Sequence, residues 1–85
     1  MIATGVQFTG SLPANQTQKW NTFNWNPANH VVWYMIPTSV NTTGAEVQWS
    51  VAVQRTSSTA CSYLITVTNL TAATVTFEAR YAILA

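Results

Sequence analysis

The sequence has no aspartate, one cysteine, one histidine and few charged side chains in its 85 residues. The charged residues are Lys19, Glu46, Arg55, Glu78 and Arg80. Three scattered basic residues cannot form the stripe that neutralises phosphates, which argues against a nucleic-acid partner. Two carboxylates are too few for a calcium site, and one Cys with one His is too few for structural zinc. We therefore expect no metal and no cofactor.

A single cysteine cannot form an intramolecular disulfide, the covalent staple of many small secreted domains. The first ten residues contain neither the basic segment nor the long apolar segment of a signal peptide. We therefore expect a cytoplasmic protein or one released without a cleaved signal. A secreted chain from which a signal had been removed would look the same. The longest apolar run is Val31 to Ile36, far shorter than the 18 or so residues of a membrane helix, so we expect no membrane insertion.

The length fits one domain, residues 1–85, and is too short for two. Hydrophobic residues make up 48% of the chain and charged residues only 6%, against about 25% charged in an average soluble domain. A domain of this size buries only part of its apolar surface, and a charge-poor surface resists association weakly. We therefore predict a homo-oligomer.

The residues that dominate, Thr, Val, Trp, Tyr and Phe, favour β-strands, and helix signals are nearly absent. Turn-forming residues divide the chain into six predicted strands: residues 4–9, 17–25, 30–36, 45–55, 61–69 and 74–84. This pattern predicts an all-β fold, a small antiparallel β-sandwich of jelly-roll type. Its unpaired edge strands would favour association with another copy. Asn15, Asn41 and Asn69 each begin an N-x-T sequence in a predicted turn or loop, and we interpret them as turn formers.

Alternation along the last three strands predicts which side chains face the core. The predicted inward residues are Val47, Trp49, Val51 and Val53, then Cys61, Tyr63, Ile65 and Val67, then Val75, Phe77, Ala79, Tyr81 and Ile83.

The first three strands have less regular patterns. In the first strand Val6 and Phe8 share one predicted face, and Gly10 ends the strand. The second carries aromatics on both faces, with Trp20 on one and Trp25 on the other. The third is apolar on both faces, which is typical of a strand covered on both sides or lying at a subunit contact.

Three segments carry a family resemblance. YLITVTNLT at residues 63–71 and VTFEARYAIL at residues 75–84 resemble the closing strands of small bacterial β-sandwich domains of unassigned role. GSLPANQTQKW at residues 10–20 is similar to the opening of some extracellular bacterial β-domains. The resemblance, which includes lectin-like domains, implies a β-sandwich and assigns a role to no residue.

Residues 20–34, WNTFNWNPANHVVWY, are the densest aromatic stretch, with three of the four tryptophans, four asparagines and the only histidine. Pyranose rings stack their C–H face on aromatic rings, while their hydroxyls bond to amides and carboxylates. This chemistry indicates a sugar site formed by Trp20, Asn24, Trp25, Asn29, His30 and Trp33. The alternative is a purely structural role, in which the tryptophans are core residues and the asparagines are turn formers.

Glu78 and Arg80 lie two residues apart on one face of the sixth strand and form a second candidate site. A carboxylate and a guanidinium can together bind vicinal hydroxyls through charge-assisted hydrogen bonds. The alternative is an ordinary surface ion pair.

The sequence contains no well-supported set of catalytic residues, and we expect no enzyme. Glu46 with Glu78 is the only carboxylate pair available to a glycosidase, and nothing else supports it. Cys61 with His30 is a conceivable nucleophile and base, but Cys61 falls in the inward phase of its strand.

The sequence thus predicts a non-enzymatic, metal-independent carbohydrate-binding module, lectin-like and multivalent as a homo-oligomer. An alternative is a self-assembling structural protein, a shell or fibre subunit whose aromatics pack between subunits. A protein-binding or toxin-accessory module is a third possibility.

Overall fold

The computed structural model describes residues 2–84, which form six β-strands and no helix. The strands are β1 (Ile2–Leu12), β2 (Thr17–Trp25), β3 (His30–Pro37), β4 (Val47–Arg55), β5 (Cys61–Asn69) and β6 (Val75–Leu84). The predicted all-β fold is confirmed. Gly10 does not end β1, which continues to Leu12 because residues 10–12 remain paired with β6. The described residues thus include no helix of the length and apolar character needed to cross a bilayer.

The strands form two three-stranded sheets that pack face to face. Sheet A has the order β1-β6-β3 and sheet B the order β2-β5-β4, and every neighbouring pair is antiparallel. Every connection crosses between the sheets except the β4–β5 hairpin. The first strand therefore pairs with the last and the second with the fifth, a winding typical of jelly rolls.

The core lies between the two sheets and is built mainly from the central strands. Its buried members are Leu12, Trp33, Met35, Ile65, Val67, Phe77 and Ala79. The inward phase predicted for β5 and β6 is confirmed by Ile65 and Phe77, both of which are fully buried. Each central strand has a neighbour on both sides, so its inward side chains are covered from every direction.

Two β-bulges overturn face assignments made from alternation. The β1–β6 register shifts between Val6 and Phe8, so Val6 turns to the outside while Phe8 packs against the core. The β2–β5 register shifts between Thr22 and Trp25, and Asn24 within this bulge has a φ of 64°. An extra residue reverses the two-residue period, and Trp25 therefore packs against the core, as Trp20 does.

The prediction that Val51 and Val53 are core residues is wrong. They pair with Ile65 and Tyr63 of β5 and share the inner phase of sheet B with them. Val51 nevertheless keeps 42% and Val53 65% of its surface exposed. Alternation identifies the side of the sheet toward which a residue points, but it does not show whether the opposite sheet extends over that residue.

Candidate functional site

The tryptophans of the stretch 20–34 pack inside the sandwich. Trp33 is only 6% exposed. It meets Trp25 edge to face at a centroid distance of 5.3 Å, and Tyr63 and Tyr81 complete an aromatic cluster around them. Such edge-to-face pairs add to the stabilisation that comes from burying the apolar surface of the rings. Neither Trp25 nor Trp33 therefore offers an open ring face for a sugar.

Trp20 is also a packing residue. Its ring stacks on Phe8 at 5.4 Å with an interplanar angle of 23°, and it meets the ring of Phe77 edge on, also at 5.4 Å. These contacts join β2 of sheet B to β1 and β6 of sheet A. Trp20 thus closes one side of the sandwich, in agreement with the alternative that the tryptophans are core residues.

The polar residues of the same stretch shape the backbone. Asn24 supplies the left-handed conformation of the bulge, which Asn tolerates better than most residues. The side-chain oxygen of Asn26 accepts a hydrogen bond from the Ala28 amide at 2.9 Å, and the Asn29 amide donates to the Asn26 carbonyl at 3.1 Å. His30 is exposed at the start of β3. Asn24 and Asn26 therefore shape the bulge and the following turn, and the exposed aromatic rings of the stretch are those of Phe23 and Tyr34, not those of its tryptophans.

A depression of about 500 Å³ lies instead on the outer side of sheet A. It contains Glu78 and Arg80 of the second candidate site, both on the central strand β6. The remaining lining residues come from all three strands: Thr4, Gly5, Val6, Val32, Tyr34, Tyr81 and Ala82. We call this region the sheet A depression.

One row of paired residues crosses the middle of the sheet A depression. Arg80 lies opposite Val6 of β1 on one side and opposite Tyr34 of β3 on the other. Tyr34 is 48% exposed, and its ring meets Trp49 edge on at 5.7 Å. The Tyr34 side chain, whose ring reaches Trp49 of sheet B, thus lines the same depression as Arg80.

Glu78 and Arg80 form a salt bridge with each other. Nε and Nη2 of Arg80 donate to the same carboxylate oxygen, Oε1 of Glu78, at 3.0 and 2.8 Å. The Oε2 atom of Glu78 and the Nη1 atom of Arg80 make no hydrogen bond within residues 2–84. The pair therefore has no net charge, yet keeps an acceptor and a donor for hydroxyl groups.

The outer side of sheet B has a different chemistry. Its exposed and half-exposed side chains are mainly hydroxyls and amides, among them Gln48, Ser50, Thr66 and Thr68. Thr17 and Thr68 already bond to each other across the strands at 2.9 Å. Only the outer side of sheet A combines a depression of this size with an aromatic ring and an ion pair among the described residues.

A smaller depression of about 350 Å³ lies between the loop 38–46 and the turn 70–74. Its polar groups are largely used within their own loops. The side-chain oxygen of Asn41 accepts from the amide and the hydroxyl of Thr43 at 3.0 and 2.6 Å, and Ser39 donates to Glu46 at 3.5 Å. This depression is a weaker candidate for binding.

The residues considered for catalysis are dispersed in the fold. Cys61 is buried on β5, whereas His30 is exposed at the start of β3 in the other sheet. Glu46 accepts a hydrogen bond from Ser39 in a loop, and Glu78 pairs with Arg80. Within residues 2–84, no group of three His, Cys, Asp or Glu residues could hold a metal ion.

Tyr34 is an exposed aromatic residue of the depression that the candidates from sequence omitted. The sequence signal for Tyr34 was that β3 is apolar on both faces. Only one face of a strand can pack into a two-sheet core, so the apolar residues of the other face must lie on the outside. In comparisons with protein-family models, curated proteins and solved structures, none matches this chain.

Proposed function

We propose that this chain is a non-enzymatic carbohydrate-binding module whose site is the sheet A depression. The observation that carries the proposal is that the half-exposed Tyr34 lines the same depression as the neutral Glu78–Arg80 pair. Glu78 and Arg80 stay in the site expected from sequence, and Tyr34 replaces the tryptophans as its aromatic member.

The chemistry of the depression favours a neutral ligand with one apolar face and one hydroxylated edge. A net-neutral ion pair attracts neither anions nor cations strongly over a distance. Oε2 of Glu78 and Nη1 of Arg80 can accept from and donate to neighbouring hydroxyls, while Tyr34, Val6 and Val32 contact C–H groups. A pyranose ring has both features. Such a shallow site binds weakly, so several sites in one homo-oligomer would act together.

The direct test is a titration with a panel of neutral oligosaccharides, followed by calorimetry and by tryptophan fluorescence. The contact of Tyr34 with Trp49 means that a sugar on Tyr34 changes the surroundings of one tryptophan. We expect saturable binding of a pyranoside and none of an acyclic polyol with as many hydroxyls, because the polyol has no rigid apolar face. Absence of binding by every pyranoside at millimolar concentration would refute the proposal.

The aliphatic rim of the same face favours a second candidate, a self-assembling structural subunit. Ile2, Val6, Val32 and Leu84 are all more than 40% exposed on the outer phase of sheet A. A contiguous apolar face of this kind often marks a protein contact. The tryptophans of residues 20–34 pack within one chain, so this assembly would use aliphatic contacts. It predicts that Val32→Lys reduces the mass of the assembly without any response to sugar.

A further inference from the structure

The two long sides of the sandwich are protected to different extents. On one side lie the edge strands β1 and β2, joined across the sheets by the stacking of Phe8 on Trp20. Both carry a bulge, and β2 also carries Lys19. Bulges and edge lysines are devices that prevent a free edge from pairing with another strand.

The other side has neither a bulge nor a lysine within the described residues, and its one strand proline, Pro37, is the last residue of β3. Its edge strands are β3 and β4, joined across the sheets by the contact of Tyr34 with Trp49. Their pairing with the central strands runs without a register shift. The edge of β4, VQWSVAVQR, is nine residues long, contains neither proline nor glycine, and carries its only charge at the last residue.

The same side leaves inner-phase side chains of β4 uncovered. Tyr34 covers part of the gap between the sheets at Trp49, but Val51 and Val53 stay 42% and 65% exposed beyond it. Their partners on β5 are better covered, and Ile65 opposite Val51 is fully buried. β4 therefore has both an unprotected edge and two exposed valines that point toward the inner side of the sheet.

We propose that a second copy of this chain pairs with β4 in antiparallel fashion, with Val51 opposite Val51 of the second copy. In this register Val53 lies opposite Trp49 of the other copy, and the two copies of Val51 lie against each other. Ser50 lies opposite Ala52 and Gln48 opposite Gln54, which keeps the outer side of the strands polar. Arg55 lies opposite Val47, and the two arginines are eight residues apart along the pair, roughly 27 Å. The nine residues are thus self-complementary in their side-chain pattern, and the register keeps their like charges apart.

The pairing joins the two copies of sheet B into one six-stranded sheet. The two-fold axis that relates antiparallel strands in one sheet is perpendicular to that sheet, so both copies of sheet A lie on the same side. Both sheet A depressions then face in one direction and can contact one surface together. This last consequence rests on the proposed function, whereas the pairing of β4 does not.

Symmetric disulfide trapping tests the register. Opposed residues of antiparallel strands have Cα atoms roughly 4.5–5.5 Å apart, within the range of a disulfide. Under mild oxidation we expect Val51→Cys to form a covalent dimer. Val53→Cys is the matched control, because the two copies of residue 53 would lie four residues apart along the strands, ~13 Å. The native Cys61 is buried and does not compete. Equal trapping of both variants, or trapping of neither, would overturn the proposed register.

The mass in solution, measured by sedimentation over a range of concentrations, tests the interface itself. We expect a dimer for the unmodified chain and for Val40→Lys, which places the same charge on an exposed loop residue outside β4. Val53→Lys should be monomeric, and its folding should be unaffected because Val53 is largely exposed. A monomer for the unmodified chain at every concentration would refute the pairing. A dimer that fails to bind sugar would refute only the proposed function, and a Val53→Lys monomer that binds sugar would show that the site is independent of the interface.

Discussion

Gly10 and Phe77 lie opposite each other in the pairing of β1 with β6, and the phenyl ring occupies the space above the glycine. A Cβ on Gly10 would lie 2.5 Å from the Cζ atom of Phe77 and 3.2 Å from the ring of Trp20. Phe77 is fully buried, so its ring cannot swing into solvent. The glycine therefore allows the central aromatic side chain of sheet A to lie flat against its neighbouring strand.

Replacement of Gly10 by alanine should destabilise the fold by about 2 kcal/mol, a typical cost of overpacking a filled core. Urea denaturation measures this as a lower midpoint at an unchanged slope. Gly44→Ala is the control, because a Cβ there meets nothing within 4 Å. Equal midpoints for the two variants would contradict this account of Gly10.

A second prediction concerns the side chain of Asn69, which is 1% exposed. Its Nδ2 atom donates to the carbonyls of Leu12, Pro13 and Ala73 at 3.0, 3.1 and 2.7 Å. Its Oδ1 atom accepts from the amide and hydroxyl of Thr71 at 2.8 and 2.9 Å. Asn69 thus ties the end of β1 to the turn before β6.

Asn69→Asp keeps the shape of this side chain but removes the donor and, near neutral pH, places a carboxylate beside three carbonyl oxygens. We expect a loss of more than about 3 kcal/mol of stability at pH 7. Burial and the carbonyls raise the folded-state pKa of the new carboxyl, so the folded state binds more protons than the unfolded state. The stability of the variant should therefore rise as the pH falls toward the ordinary Asp value.

Asn41→Asp is the matched control for this change. Asn41 forms a similar turn with Thr43, and the structure shows only its side-chain oxygen in use, which aspartate retains. Thermal unfolding between pH 4 and pH 8 compares the two variants. A pH-independent loss at Asn69 would show that the three carbonyls do not face the charge.

Tyr63 provides a prediction at alkaline pH. Burial, followed by a side-chain hydrogen bond and a charge interaction with Cys61, raises the pKa of Tyr63 above its ordinary value of 10.0. Its contribution to stability is complete below pH 10.0 and is lost as the pH rises through the folded-state value. Absorbance titration of the folded protein should show one late-ionising tyrosine that is missing in Tyr63→Phe. Persistence of the late phase in that variant would assign it to another tyrosine.

The proposed sugar site predicts different affinities for two substitutions of Tyr34. Tyr34→Leu removes the ring face and should weaken binding of a pyranoside about tenfold, whereas Tyr34→Phe should retain most of the affinity. Glu78→Gln breaks the neutral pair and should weaken binding as well, because one ion-pair acceptor is lost. Calorimetry on the three variants measures these changes. Equal affinity for Tyr34→Leu and the unmodified protein would rule out stacking on Tyr34.

Part of the fold follows from local patterns. The six strands and the inward phase of β5 and β6 could be predicted, because a two-residue period and turn residues are properties of neighbouring positions in the chain. The candidate site was predicted only in part. Glu78 and Arg80 share a strand and were found together, but Tyr34 joins them through the pairing of β3 with β6, which connects residues distant in sequence.

The predictions from sequence failed where one residue or one uncovered surface changed the environment of a side chain. The bulge at Asn24 directs the Trp25 side chain toward the core, and the limited extent of sheet A leaves Val51 and Val53 exposed. The sequence by itself determined the all-β class and the shortage of charge, because these depend on composition and period. Only the tertiary structure decided which aromatic rings are buried, because burial depends on how far each sheet extends over the other.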